Sequence, residues 1–222
     1  MRGRPQAPRR SARKLDWSDA PLAALDFEAT GLDFERDEII SFGVVPVRAG
    51  RIVMAESVYR LSRPTVPPSP ESVVVHGLRT QDLMEAPALT ETRAELSACL
   101  RGRFLLTWYG SVEKGFLRKV FGGTRKGWAR RNLDVRLLAI AADTEGQGRA
   151  PSGYSLTEVA DRYRVPVSDP HHALDDALVT AELFLVLATS LGSAGRSRIG
   201  DLFRMAEAAG SSGSTYERRA TR

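Results

Sequence analysis

The first hydrophobic segment, Leu22-Ala23-Ala24-Leu25-Asp26-Phe27, is continuous rather than alternating, and acids punctuate its end at Asp26 and Glu28. Such a run predicts a central strand covered on both faces. Residues 39–47 predict a second strand and residues 51–61 a third, joined by the turn Arg48-Ala49-Gly50, two antiparallel partners for the first. Residues 64–70 are Pro-rich and read as an extended crossing segment. Beyond them the pattern turns helical. Helices are predicted over 89–100, 112–121, 133–142 and about 173–191, with Gly122-Gly123 and Gly192 as stops, and a further strand over 104–108. Ser155 followed by Glu158 is a capping-box start for another helix. Strands first and mostly helices afterwards imply an α/β class: a mixed sheet with flanking helices, single domain. The domain is placed at 18–195, between a basic disordered tail at 1–17 and a short helix with a disordered tail at 196–222.

Composition narrows this picture. With 222 residues and 42% hydrophobic content the chain has material for one core, and no apolar run approaches the ~20 residues that span a bilayer. Cys99 is the single cysteine, which excludes an intrachain disulfide and argues against a thiolate metal cluster; a reducing, cytoplasmic setting is expected. The first fourteen residues carry no apolar stretch, so a secretory signal is not expected. The net charge of +5 sits in the ends: Arg2, Arg4, Arg9, Arg10, Arg13 and Lys14 face no acid before residue 15, and Arg218, Arg219 and Arg222 outnumber Glu217. What lies between is mildly acidic. Such tails either add salt-sensitive affinity for phosphates or only solubilise.

Two short segments carry chemistry. In Asp26-Phe27-Glu28-Ala29-Thr30-Gly31, strand periodicity puts Asp26 and Glu28 on one face and Phe27 on the other. Adjacent carboxylates at the end of a buried strand repel unless a cation lies between them, and hard oxygen donors favour magnesium or manganese. A solvated strand end is the plainer alternative. In His171-His172-Ala173-Leu174-Asp175-Asp176, Asp176 opens the long helix and His171 lies in the loop before it, a group able to take and return a proton near neutrality. Asp169 and Asp175 read as capping acids. A third stretch, Arg118, Lys119, Arg125, Lys126, Arg130 and Arg131 with Phe121 and Trp128, would suit a single strand of nucleic acid. A solvated helix and loop is the weightier reading of it.

Together Asp26-x-Glu28-x-Thr30-Gly31 and His171-x-Ala173-x-x-Asp176-Ala177 resemble the first and third motifs of the DnaQ-like, DEDDh 3′→5′ exonucleases, the superfamily of the DNA polymerase III proofreading subunit. Val75-His76-Gly77-Leu78, Asn132-Leu133-Asp134-Val135 and Ser155-Leu156 are similar to intermediate landmarks, and the match covers about residues 20–190. The second motif departs. Relatives place an Asp after a His-Asn pair; here the acid position is Glu113, and Trp108-Tyr109 replace the polar pair.

The resemblance implies a ribonuclease H-like fold and a two-metal phosphodiester hydrolase. Asp26, Glu28, Glu113 and Asp176 would ligate two Mg2+ or Mn2+ ions, and His171 would be the general base, with Glu28 also counted in the catalytic set. Thr30, Gly31 and Leu32 would line the terminal-nucleotide pocket. The substrate would be a nucleic-acid 3′ end, single-stranded DNA first and RNA second, and the product a nucleoside 5′-monophosphate; no membrane is involved and no polymerase partner is specified. An oligonucleotide-trimming exoribonuclease, or a catalytically impaired nucleic-acid-binding module, are the alternatives, the latter resting on Glu113.

Overall fold

The apolar run at the start of the chain forms β1 (Leu22–Ala29), and its side chains divide between two cores by strict alternation. Leu22 and Ala24 join one cluster, while Ala23, Leu25 and Phe27 join the other. The structure, a computed structural model, describes residues 3–147 and 153–220, with side chains described to 146 and from 153 to 211.

Beside β1 lie β2 (Ile39–Arg48), antiparallel, and β5 (Phe104–Thr107), parallel; β6 (Asn132–Asp134) continues the parallel side. The short β3 (Arg51–Ile52) and β4 (Val58–Leu61) both pair antiparallel with β2, giving a six-stranded mixed sheet of order β3-β2-β1-β5-β6 with β4 also on β2. One third strand was expected over 51–61; it is broken in two. Pro46 explains the break: Val53 N–H donates to its carbonyl at 2.9 Å, but Pro46 has no N–H to return. A 3-10 turn at Met54–Glu56 then bulges outward before pairing resumes at Val58.

One face is covered by α6 (Val135–Gln147), α7 (Leu156–Tyr163), α8 (Ala173–Ser193) and α9 (Ile199–Ala220), the other by α3 (Leu89–Cys99), α4 (Gly110–Phe121) and α5 (Arg125–Ala129). Two of the expected boundaries hold, Gly122 ending α4 with a positive φ and Ser155 and Glu158 capping α7 reciprocally, whereas Gly192 does not stop α8, which runs through it to Ser193. The short α1 (Pro70–His76), α2 (Thr80–Leu83) and α5, and the strand β6, were not expected. Too few residues make them for a periodicity to register.

The tails differ from expectation. Residues 3–17, read as a disordered basic tail, run across the domain. Pro5 and Gln6 carbonyls accept from Arg131 Nη1 and Gly102 N–H, Arg10–Lys14 form a 3-10 turn, and the Arg13 guanidinium stacks 4.0 Å over Phe203. Trp17 meets Phe184 edge-on. The segment is held by its backbone carbonyls and by Arg13, while Arg4, Arg9, Arg10 and Lys14 stay exposed, a division that composition does not show. At the other end α9 extends to Ala220 where a short helix was expected. Residues 1, 2, 221 and 222 of the expected tails lie outside the described residues.

Candidate active site

Asp26 and Glu28 occupy the last turns of the β1 pleat, facing α8, while Phe27 packs into the opposite core against Phe116. Register places Asp26 across from Gly43 of β2 and Glu28 across from Ser41. Gly43 is the structural key to the site. A Cβ there would overlap the Ala173 carbonyl and lie 2.5 Å from Leu174 Cα, so the first turn of α8 rests directly on the sheet. That contact delivers Asp176 to the two strand carboxylates. Ligand atoms of Glu28, His171 and Asp176 lie within 4.8 Å of one another.

Glu113 arrives from the other layer, in the first turn of α4, buried and with Oε2 unpartnered. It is the strongest neighbouring charge on Asp26. The electrostatics are those of acids held together without an ion-paired base: among the described residues none of Asp26, Glu28, Glu113 or Asp176 forms an ion pair with Lys or Arg. Burial, then Asp176, pushes Glu28 up to about 8. Burial raises Asp176 to about 6, although His171 opposes this. Asp26 is pushed well up by burial and then by Glu113, Glu28 and Asp176, and burial does the same to Glu113. Hard oxygen donors, converging and mutually repelling, fit a divalent cation.

His171 stands in the loop before α8 with φ of +64°, a left-handed conformation uncommon for a residue with a Cβ, and its N–H points at Asp176 Oδ2 at 3.3 Å. His172 is held differently. Its ring stacks on Tyr59 of β4 at 4.3 Å and its Nδ1 lies 3.5 Å from Asp175. Asp175 therefore pairs with His172 rather than capping α8, whose N-cap is His172 without a side-chain bond; Asp169 contributes a backbone carbonyl to His172 N–H.

The residues expected to line a nucleotide pocket separate into two kinds. Leu32 is 72% exposed and free to meet a ligand. Thr30 is buried, its hydroxyl donating to Asp37 and accepting from Glu38 N–H, and a Cβ on Gly31 would lie 2.5 Å from the Asp37 carboxylate. These two shape the loop after β1 and its Asp37 bracket. Sequence reasoning passed over Asp37, Tyr59 and Gly43. For Gly43 a signal was present, an isolated glycine inside a predicted strand. The basic stretch of 118–131 does not form a stacking groove: Phe121 and Trp128 are 3% and 1% exposed, Lys119 Nζ is bonded to the Glu35 and Asp37 carbonyls, and Arg131 is buried.

The sequence profile of the RNase_T exonuclease family matches residues 23–184. Among curated relatives, DNA polymerase III PolC-type of Thermotoga maritima is 28% identical over 85% of this chain and 13% of its own length. DNA polymerase III subunit epsilon of Aquifex aeolicus is 25% identical over 78% of this chain and 83% of its own. The chain thus spans about an eighth of the PolC-type relatives it matches. Among solved structures, E. coli exonuclease I with a dT13 oligonucleotide superposes with a TM-score of 0.68 at 14% identity, covering 79% of this chain and 42% of that one. Exonuclease X with 5′ overhanging duplex DNA gives 0.59 at 20%, covering 82% and 99%. These likenesses show the ribonuclease H-like exonuclease fold.

Proposed function

The chain belongs to the RNase_T exonuclease family, in the DnaQ-like group, and from that premise we propose that it is a metal-dependent 3′→5′ exonuclease releasing nucleoside 5′-monophosphates, with single-stranded DNA as first substrate. The observation that carries the proposal is the meeting of Glu28, His171 and Asp176 within 4.8 Å beside Asp26 and Glu113, with no Lys or Arg ion-paired to these acids among the described residues. Asp26, Glu28 and Asp176, with Glu113 from α4, would hold two divalent cations. Magnesium or manganese bound there supplies Lewis acidity toward the phosphate, an activated water and charge compensation at the leaving 3′-oxygen.

The remaining work falls to side chains. His171, exposed at the mouth, accepts the proton of the attacking water at an imidazole nitrogen, while its backbone N–H, donating to Asp176 Oδ2, holds the loop that carries the ring. The Tyr59–His172 stack holds the following residue, so the left-handed turn at His171 is fixed from both sides. Leu32 offers an apolar surface to the terminal base. Glu113 in place of the usual Asp is compatible with this arrangement, because its longer side chain still puts charge beside Asp26.

The test is mononucleotide release from 3′-labelled single-stranded DNA and RNA with Mg2+, Mn2+ or EDTA. Asp26→Ala should abolish release and His171→Ala should lower it roughly 10²–10⁴-fold. Absence of release from either polymer with both metals would overturn the proposal, and preference between the two polymers identifies the sugar.

A further inference from the structure

Five guanidinium–aromatic stacks occur among the described residues, and they are not alike. In four the ring belongs to the protein interior or to its packing: Phe203, Phe121 and Trp128 are buried, and Tyr154 is tied to Asp143, which also pairs with the Arg162 above it. The fifth is Arg136 over Tyr109, 5.0 Å from the ring centroid, and here the tyrosine is 46% exposed.

Arg136 is also uncommitted. Among the described residues its guanidinium makes no ion pair and donates no hydrogen bond, and its Nε is buried without a partner. The nearest acid in sequence, Asp134, feels the Arg136 charge but gives it no hydrogen bond or ion pair: Oδ1 accepts from Leu137 N–H and Oδ2 from Gly110 N–H, both at 3.0 Å. Lys114, partly exposed on α4, is a second cation close enough to act on Asp134 and Glu113, and it too forms no ion pair.

The place matters as much as the chemistry. Tyr109 is the N-cap of α4, the helix whose first turn carries Glu113, and Arg136 follows β6 directly. β1, β5 and β6 run parallel, with Leu106 beside Ala24 and Leu133, so both residues leave the sheet at the end that carries Asp26 and Glu28. Two strand spacings, about 10 Å, separate β6 from β1. That is a reach of a few nucleotides.

We propose that Tyr109 and Arg136 form a second contact point for the substrate strand, Arg136 taking a backbone phosphate and Tyr109 stacking a base upstream of the terminal nucleotide. A planar fork of donors with no hydrogen-bonded or ion-paired acid is suited to a phosphate, and a half-exposed tyrosine beside it is suited to any base. The contact rests on the exonuclease reading for its substrate, but its measurement does not depend on turnover.

Binding of fluorescein-labelled dT12 is followed by anisotropy in EDTA across a salt series, for the wild type, Tyr109→Ala, Tyr109→Phe and Arg136→Gln. Tyr109→Ala should weaken binding roughly 5- to 100-fold and Tyr109→Phe should restore most of it. Arg136→Gln should lower the slope of log affinity against log salt by about 0.7, the value for one phosphate on a single strand. In turnover, KM for dT12 should rise more than KM for thymidine 5′-p-nitrophenyl phosphate, which spans only the terminal nucleotide. No binding by the wild type, or unchanged affinity and salt slope in these variants, overturns the contact. Binding that depends on both residues, with neither substrate hydrolysed by the wild type, supports the contact and removes the exonuclease reading instead.

Discussion

At the scale of single residues, the four acids trade stability for chemistry. Glu28 is raised from its ordinary 4.5 to about 8, so between those values the folded chain holds a proton that the unfolded chain has lost. The associated stability is complete below about 4.5 and disappears as pH rises through about 8. In EDTA the melting temperature should therefore fall as pH rises from 5 to 8, and Glu28→Gln should flatten that fall while abolishing nuclease activity. Magnesium binds the deprotonated acids, so its stabilising effect should be largest at the alkaline end. At this chain length each kcal/mol is worth roughly 2–4 °C, well within reach of calorimetry. A melting temperature that rises over this window would contradict the burial assigned to Glu28. Asp26-x-Glu28 was legible in the sequence because the strand period puts both side chains on one face, and His171 with Asp176 through the family resemblance, since His171 lies in a loop. The role of Thr30 was not, because a hydroxyl in a motif looks the same whether it faces a ligand or Asp37.

At the scale of elements, the site exists because α8 sits directly on β2. Gly43→Ala would drive a methyl into the α8 backbone and should cost about 1–3 kcal/mol as overpacking, with catalytic loss beyond what the stability change explains. Measuring chemical denaturation and single-turnover rate together separates the two; a full-rate Gly43→Ala enzyme would show that α8 can lift without moving Asp176. Ser155→Ala removes the N-cap of α7 and should cost about 1 kcal/mol by the same denaturation measurement, with no loss of rate beyond that, since the side-chain bonds of the Ser155–Glu158 cap involve no site residue. The α7 cap was readable three residues apart in the sequence. The break of the third strand was not, since it arises where Pro46 on the neighbouring strand withholds a donor.

At the scale of the molecule, the N-terminal segment is part of the fold. Removing residues 1–14 would uncover Phe203 and take from Arg131 its acceptors on Pro5 and Gln6, an interior arginine whose pKa burial already draws down to about 10. The truncated chain should melt several degrees lower and exchange the α9 amides faster, and its salt dependence on single-stranded DNA should change less than Arg136→Gln changes it. A truncation that leaves stability untouched but flattens the salt dependence would return these arginines to the role their composition suggests. Among the described residues no helix is long and apolar enough to cross a membrane.

The sequence by itself determined the sheet's central strand, the helices α3, α4, α6 and α8 to within a few residues, the capping of α7 and the acids at the ends of β1 and α8. All are set by periodicity and by backbone chemistry within a few residues of one another. Only the tertiary structure decided that Glu113 meets Asp26 across two layers, that Gly43 admits α8, and that the basic tail lies down on Phe203. It also decided that the exposed aromatic beside an uncommitted cation is Tyr109, not Phe121 or Trp128. Each of these depends on burial and on approach between segments far apart in the chain, and a local pattern carries no information about either.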